Sequence, residues 1–230
     1  MTYADRPAAK NIIEESPEML QLIRSSLLAA LMLYALGARA ETTLCTEVVP
    51  PATITQPGVY CLFRDYALNL VEGAAIAINA NNVVLDFNGH RIGNGGAGAA
   101  NVAAGVRVGF SAGSGYQNVA IRNGTILGFR VGLSLDGASS QGHLVEDMLI
   151  DRSLEYGIYS NGNRTVLRRN RIVGTGTTST TNGNVSGLSV LGDDNVVADN
   201  DVLNTAALKS VYAMYVISNG GAVIAGNRVL

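Results

Sequence analysis

The sequence predicts an all-β solenoid, a fold in which short strands stack coil upon coil, because one short pattern recurs five times. The pattern consists of an aliphatic residue, two variable residues, a bend residue, another variable residue and a second aliphatic residue. Its copies are Ile121–Ile126, Val145–Ile150, Leu167–Ile172, Val197–Val202 and Ile224–Val229. Their spacing of about 22 to 30 residues is typical of solenoid coils whose loops differ in length.

The variable positions of the pattern predict the register of the coils, because three of them alternate in charge from copy to copy. They are Arg122, Glu146 and Arg168, then Asp147, Arg169 and Asp199, then Arg171, Asp201 and Arg228. In a parallel, in-register sheet, equivalent residues lie about 4.8 Å apart, where opposite charges stabilise by roughly 0.2–1 kcal/mol. The bend position holds Asn170, Asn200 and Asn227, with Gly124 earlier, residues that tolerate left-handed backbone and can stack in a hydrogen-bonded column.

A second strand precedes each copy, because a small residue is followed by two apolar positions that flank a variable one. These strands are Gly105–Val108, Gly132–Leu135, Gly157–Ser160, Gly187–Val190 and Ala213–Val216. Such period-two patterning places one face inward and one outward. An earlier coil begins at Ala75–Ile78, with two extra residues before its last aliphatic residue. We therefore predict six coils over residues 74–230, preceded by an N-terminal cap over residues 41–73.

Composition agrees with strands and turns. The chain has 27 Gly and no Trp among its 230 residues, and hydrophobic residues make up 47%, enough to fill a long narrow core. The net charge of −2 and the lack of a polybasic surface argue against a nucleic-acid partner. Arg164, Arg168, Arg169 and Arg171 form a basic cluster in sequence, but three of the four belong to the alternating charge columns.

Residues 1–40 are predicted to be an export signal. Arg24 precedes an apolar run, Ser25 to Gly37, which ends in an A-x-A site at residues 38–40, and Met19 is a candidate true start. The run is short for a membrane span, although an anchor helix that stays attached is the alternative. We therefore expect a secreted, periplasmic or extracellular protein.

The two cysteines support export. Cys45 and Cys61 are the only ones in the chain, and in an oxidising compartment a pair this close should form a disulfide. Closing a loop of about 15 residues contributes roughly 3 kcal/mol in the chain-entropy model. Two Cys without a nearby His give too few ligands for a metal site, and we expect neither a metal nor a cofactor.

Three stretches near the start carry a resemblance to a known group. Ile54–Leu62, Ile76–Asp86 and Asn88–Ile92 resemble the opening of secreted right-handed parallel β-helix proteins of the pectate-lyase-like superfamily, in its carbohydrate-binding and sugar-hydrolysis group. The resemblance covers residues 52–230 and implies a right-handed parallel β-helix of about six coils. A leucine-rich repeat fits less well, because Thr165 and Gly162 stand where it requires aliphatic residues.

The resemblance also implies that saccharides bind along an outer strand face. The outward positions are Ala77, Arg107, Ser134, Tyr159, Ser189 and Tyr215, followed one step on by Asn79, Asp136 and Asn161. Tyr159 and Tyr215 could stack on sugar rings, and Arg107 could pair with a uronate or sulfate. We predict binding residues Arg107, Asp136, Tyr159, Asn161 and Tyr215, although two tyrosines on exposed strand positions also fit ordinary β-propensity.

Catalysis has weaker support. An epimerase-like pattern of this group places Asp-Pro-His-Asp after Tyr-Gly-aliphatic, whereas here Tyr156–Ile158 is followed by Tyr159–Asn163, without the acid, base or histidine. The candidate catalytic residues are Arg107, Asp136, Asp151 and Glu155, the last two of which also fit a solvated loop. Asp193 and Asp194 fit a turn better than a catalytic carboxylate pair.

The expected function is recognition of extracytoplasmic polysaccharide or a cell-surface glycan without catalysis. The alternatives are a polysaccharide lyase or related carbohydrate-active enzyme, and a structural or adhesive solenoid. Val229 and Leu230 complete a repeat with no capping segment after them, so we also expect self-association or a further domain at this end.

Overall fold

Nearly all regular structure in the described part of the chain is β-strand, and the strands form two parallel sheets. The computed structural model describes residues 44–109, 115–137, 139–177 and 183–230. The predicted export signal, residues 1–40, lies outside them. Within the described ranges, no helix has the length and apolar character needed to cross a membrane. One short 3-10 turn, Gly95–Ala97, lies in a loop.

The first sheet has seven strands, one from each successive turn of the chain. They are β2 (Ala52–Ile54), β5 (Ala74–Ile78), β8 (Ala104–Val108), β10 (Val131–Leu135), β12 (Tyr156–Asn161), β15 (Asn184–Leu191) and β18 (Ser210–Ile217). Each inner strand pairs in parallel with the strands of the coils before and after it, and the end strands β2 and β18 pair with β5 and β15.

The second sheet has thirteen strands and closes the other sides of the solenoid. They are β1 (Thr46–Glu47), β3 (Gly58–Cys61), β4 (Tyr66–Ala67), β6 (Val83–Asp86), β7 (Arg91–Gly93), β9 (Val119–Leu127), β11 (Leu144–Asp151), β13 (Val166–Arg168), β14 (Arg171–Val173), β16 (Asn195–Ala198), β17 (Asp201–Leu203), β19 (Ala222–Ala225) and β20 (Arg228–Val229).

These pairings confirm the predicted parallel β-solenoid. Six coils start at β5, β8, β10, β12, β15 and β18. The segment predicted as a cap contributes β2, β3 and β4, which pair in parallel with β5, β6 and β7 of the first coil. The predicted register is also confirmed, because Glu146 pairs with both Arg122 and Arg168, and Asp201 pairs with Arg171 and Arg228.

The core consists of aliphatic columns. The two aliphatic positions of the repeat are fully buried in four successive coils, where Ile121, Val145, Leu167 and Val197 form one column and Ile126, Ile150, Ile172 and Val202 form the other. On the last coil the same positions, Ile224 and Val229, are 54% and 49% exposed. Burial by the neighbouring coils therefore determines how far each aliphatic position is removed from water.

Left-handed residues turn the chain at the corners of each coil. One corner is formed by Asn123, Asp147, Arg169 and Asp199, with φ of 58°, 54°, 53° and 55°. The sequence prediction placed this conformation one residue later, at the asparagines, and was wrong by that one residue. The asparagine that follows the corner has a different role, because its side chain points into the stack of coils.

The buried asparagines form the hydrogen-bonded column that the repeat predicts. The side-chain oxygen of Asn200 accepts from the backbone N–H of Asn170 and from its Nδ2, both at 3.0 Å. The Nδ2 of Asn200 donates to the carbonyl of Leu167 and to the side chain of Asn227, both at 2.9 Å. Asn170 and Asn200 are each 1% exposed. The column therefore satisfies backbone groups that would otherwise be buried without partners.

The left-handed corner carries a bidentate ion pair of the charge columns. Arg169 donates to both oxygens of Asp147, at 2.9 and 2.8 Å, and its Nη2 also lies 2.7 Å from Oε2 of Glu146. These hydrogen bonds hold the pKa of Asp147 below its usual value. The expected second partner, Asp199, forms no ion pair with Arg169 among the described residues. Arg169 was predicted to lie between Asp147 and Asp199. In the structure both of its acidic partners, Asp147 and Glu146, belong to the preceding coil.

Reversing the charge of Arg169 tests this arrangement. We expect Arg169→Asp to lower the free energy of unfolding by about 1–2 kcal/mol, because three charge-assisted hydrogen bonds at a partly exposed site are replaced by repulsion from Asp147 and Glu146. Urea denaturation at low salt would measure the loss. Lys209→Asp, with the same charge change in an exposed loop, is the control. Equal stability of the two variants would contradict the assigned ion pairs.

The disulfide predicted from the sequence is present. Cys45 and Cys61 are bonded, with their Cα atoms 5.9 Å apart. Cys61 is fully buried in β3, so the bridge ties the start of the described chain to the first turn of the solenoid. Disulfides of this kind form in oxidising, non-cytosolic compartments.

Candidate functional site

The outer face of the seven-stranded sheet presents one row of aligned side chains along the solenoid. Strand pairing places Arg107 beside Ser134, Ser134 beside Tyr159, Tyr159 beside Ser189 and Ser189 beside Tyr215. We call these five residues the outer row. Ala77 extends the row toward the N-terminus, where it pairs with Arg107.

Two further tyrosines lie beside the outer row. Tyr156 and Tyr159 have ring centroids 5.4 Å apart, and Tyr212 and Tyr215 have centroids 5.1 Å apart, with tilted rings in both pairs. We call the four residues the tyrosine platform. Tyr156 and Tyr212 were not among the residues predicted for this face. The signal was present as a matching spacing, Tyr156-Gly-Ile-Tyr159 and Tyr212-Ala-Met-Tyr215.

The coil between the two pairs carries serines in place of tyrosines. Ser186 pairs with Tyr156 and Tyr212, and Ser189 pairs with Tyr159 and Tyr215. Both serines are only 3% exposed, whereas Tyr212 and Tyr215 are 43% and 38% exposed. The serines are covered because a larger ring flanks each of them on both sides. The platform is therefore a broad aromatic surface with small residues beneath its centre.

Two of the four tyrosines, Tyr156 and Tyr159, have a perturbed pKa. Burial raises the pKa of Tyr156 and of Tyr159 above the ordinary value of a phenol, with smaller contributions from the neighbouring carboxylates Glu155 and Asp136. Both hydroxyls therefore keep their protons at neutral pH and act as hydrogen-bond donors, not as bases. Aromatic rings with a polar tip suit the faces of sugar rings, which present C–H groups between hydroxyls.

Arg107, Asp136 and Asn161 belong to the same sheet, in β8, directly after β10 and at the end of β12. The Nη2 of Arg107 donates to the carbonyl of Gly73 at 3.4 Å. The backbone N–H of Asp136 donates to Val108, and its side chain is exposed directly after β10. Asn161 is half-buried and pairs with Leu191 of the next coil. These three residues thus come from three neighbouring strands, the last of which also carries Tyr156 and Tyr159.

Asp151 lies on the other sheet. It ends β11, where it pairs with Leu127 and Val173, and its carboxylate lies 3.4 Å from Nε of Arg152. Asp151 is therefore separated from Arg107 and Asp136 by the edge of the solenoid. The four candidate catalytic residues do not converge on one point of the surface.

Glu155 lies at the border of the platform, immediately before Tyr156. Its carboxylate forms an ion pair with Arg130 of the preceding coil. Both residues line a groove of about 340 Å³, together with Asn101 and Leu154. The side chain of Glu155 is 16% exposed, so a ligand in the groove would reach only part of this pair. The ion pair between Glu155 and Arg130 therefore links two successive coils beside the tyrosine platform.

His143 is structural. It is 1% exposed, its Nδ1 accepts from the backbone N–H of Val119 at 3.2 Å, and its Nε2 lies 2.7 Å from Oγ of Ser140. Burial lowers its pKa to about 4, so the imidazole is neutral near pH 7. Asp193 also has a structural role, because its carboxylate accepts from the backbone N–H groups of Asn219 and Gly220, which lowers its pKa.

Metal ligands are not grouped anywhere in the part of the chain that the structure describes, where no cluster of three or more His, Cys, Asp or Glu side chains is placed to bind an ion.

No family model, curated protein or solved structure matches the chain. The class is therefore defined by the fold. The chain is a parallel β-solenoid protein with an aromatic outer face.

Proposed function

We propose that this protein is an exported, right-handed β-helix protein of the pectate-lyase-like type that binds extracytoplasmic polysaccharide without cleaving it. The observation that carries the proposal is the tyrosine platform, in which four rings from two coils lie on one outer sheet face. Large aromatic surfaces that remain exposed on a folded protein commonly mark binding sites. The disulfide between Cys45 and Cys61 supports folding in an oxidising compartment.

Binding is favoured over catalysis by the placement of the ionisable groups. Polysaccharide cleavage requires a proton acceptor or donor and a charge-stabilising group within reach of one glycosidic bond. The tyrosines nearest the centre of the face, Tyr156 and Tyr159, have a raised pKa and are poor bases. Arg107 and Asp151 belong to different sheets. His143 is 1% exposed, and its ring accepts a hydrogen bond from the backbone of Val119, so a substrate cannot reach it.

A lyase is the second candidate, because Glu155 and Arg130 form an ion pair in a groove directly beside Tyr156. An arginine that neutralises a uronate, next to a carboxylate, is the kind of pair such an enzyme would use. Incubation with pectate, alginate and hyaluronan, followed by absorbance of unsaturated uronates, distinguishes the two functions. If the parent protein forms unsaturated products and Glu155→Gln does not, the protein is a lyase and the binding proposal is wrong. If polysaccharide is bound but no product forms, the binding proposal is supported.

Removing one tyrosine from each pair tests the proposed face. We expect Tyr159→Ala/Tyr215→Ala to abolish the retardation of the protein in affinity electrophoresis through polysaccharide gels. Its free energy of unfolding should fall by only about 1 kcal/mol, because outward strand positions hold little core area.

The matched control removes exposed apolar side chains from the other sheet. Val59 and Val223 are 39% and 56% exposed on β3 and β19, and Val59→Ala/Val223→Ala should be retarded like the parent. Unchanged retardation of the tyrosine variant would show that sugars bind elsewhere. If no polysaccharide retards the parent protein, a structural or adhesive function explains the fold better than polysaccharide binding does.

A further inference from the structure

The two tyrosine pairs are separated by one complete coil. Tyr156 and Tyr159 belong to β12, Tyr212 and Tyr215 to β18, and β15 lies between them. Neighbouring strands of a sheet are about 4.8 Å apart, so the two pairs are about 9.6 Å apart along the solenoid. The three strands repeat one local sequence with alternating bulk, tyrosines on the outer coils and Ser186 and Ser189 on the middle one.

The charged side chains nearest the platform are mainly carboxylates. The row that follows the platform along the sheet holds Asn161, Leu191 and Ile217, of which Ile217 is 42% exposed. Glu155 near Tyr156 and Asp136 near Tyr159 have the same sign as a uronate or sulfate, and Arg130, the cation beside Tyr156, is already paired with Glu155. Recognition of an anionic sugar normally requires a cationic partner. The chemistry of the platform therefore suits a neutral saccharide.

The spacing suits a particular chain geometry. In an extended β-linked polysaccharide, each sugar advances about as far as one strand spacing of a sheet, about 4.8 Å. Successive sugars of such a chain face alternate sides, so that every second sugar presents the same face to a flat surface. Two aromatic pairs that are two strands apart would meet equivalent faces of a first and a third sugar, and the sugar between them would pass over the covered serines.

From these observations we infer that the platform binds a neutral, extended, β-linked polysaccharide along the solenoid axis, with every second sugar stacked on a tyrosine pair. The inference rests on the proposed function and narrows it to a ligand class and a register. It differs from the expectation drawn from Arg107, because it places the main contact on the tyrosine pairs and not on that cation. Most of the affinity is expected to come from sugars stacked on the two tyrosine pairs, with β15 between the pairs.

A length series of oligosaccharides tests the register. Isothermal titration calorimetry would use neutral extended series of two to six sugars: cello-, xylo-, manno- and chito-oligosaccharides. We expect at least one series to bind, with affinity rising about tenfold between two and three sugars, the equivalent of one further stacking contact. Tyr212→Ala/Tyr215→Ala should abolish that step and leave the affinity for the disaccharide within about twofold. Ser189→Ala, a control on the middle coil, should keep the step.

The outcomes separate the inference from the proposed function. Binding only to charged oligogalacturonides, or equally well to laminari-oligosaccharides, whose chain is curved, would overturn the inference while polysaccharide binding stands. A smooth rise in affinity with length, without a step at the third sugar, would also overturn the register. Failure of every polysaccharide and oligosaccharide to bind the parent protein would overturn both.

Discussion

Asn200→Ala is expected to destabilise the protein by roughly 3–5 kcal/mol, because the buried backbone N–H of Asn170 would lose its side-chain acceptor and the carbonyl of Leu167 would lose a donor, each at a cost of about 1–3 kcal/mol. The side-chain oxygen of Asn200 accepts from the backbone of Asn170, and its amide donates to the carbonyl of Leu167. The residue is 1% exposed, so water cannot readily take its place. A loss of this size is a large part of the stability of a typical domain, about 5–15 kcal/mol.

Asn227→Ala is the matched control, since Asn227 ends the same column. It makes the same kinds of hydrogen bonds, to Asn200 and to the carbonyl of Val197, but it is only half-buried on the last coil. Water can replace its side chain, and we expect a loss of about 1 kcal/mol. Chemical denaturation of the two variants would measure the difference. Similar losses for both would mean that the column does not depend on burial for its strength.

The columns of the solenoid could be predicted from the sequence because stacking repeats each environment. A parallel, in-register coil places position after position above its equivalent, so a column of aliphatic residues, asparagines or alternating charges is visible in the aligned repeats. Asn170 and Asn200 were recognised in this way, as were the aliphatic columns that contain Ile121 and Ile126. The pairings among Arg122, Glu146 and Arg168 follow from the same repetition.

Details within one coil were less predictable. Left-handed backbone falls on Asp147 and Arg169, one position before the predicted one. Propensity alone does not favour arginine there, but the conformation directs its side chain toward Asp147 and Glu146, and the resulting ion pairs offset the cost. Such a compensation depends on three residues from two coils, and composition at a single position does not reveal it.

The tyrosine platform shows a second limit of strand patterning. Strict alternation places Tyr159 outward, Ile158 inward, Gly157 outward and Tyr156 inward. In the structure Gly157 and Ile158 are both buried, and Tyr156 lies on the same side as Tyr159. The pairing of β10 with β12 is correspondingly interrupted between Val131 and Leu133. Glycine allows this close packing, because a Cβ at Gly132 would lie only 2.6 Å from the carbonyl oxygen of Gly157.

A pH-dependent loss of stability is expected from His143, as the pH falls from about 6.5 to about 4. The ordinary pKa of histidine, about 6.5, applies to the unfolded chain, whereas burial lowers the pKa of His143 to about 4 in the fold. Between these values the unfolded state binds more protons than the folded state. Stability is therefore fully present above about pH 6.5 and decreases with falling pH until His143 is protonated in the fold.

The size of the effect follows from the shift in pKa. Each unit is worth about 1.4 kcal/mol, so His143 alone should remove up to about 3 kcal/mol between pH 7 and pH 4. The physical reason is burial, because protonation would place a charge on a side chain that is only 1% exposed. Urea denaturation at pH 7, 5.5 and 4 would measure the decrease.

His143→Asn is the variant that isolates this contribution. Two coils further on, Asn195 occupies the equivalent position and accepts the backbone N–H of Thr165 at 2.8 Å, as His143 accepts that of Val119. An asparagine at residue 143 can therefore keep the hydrogen bond without titrating. We expect the variant to lose less stability than the parent between pH 7 and pH 4, by up to about 3 kcal/mol. Because the carboxylates are shared by both proteins, their titration cancels in the comparison. Parallel pH profiles for parent and variant would contradict the assignment of His143 as a buried, neutral residue.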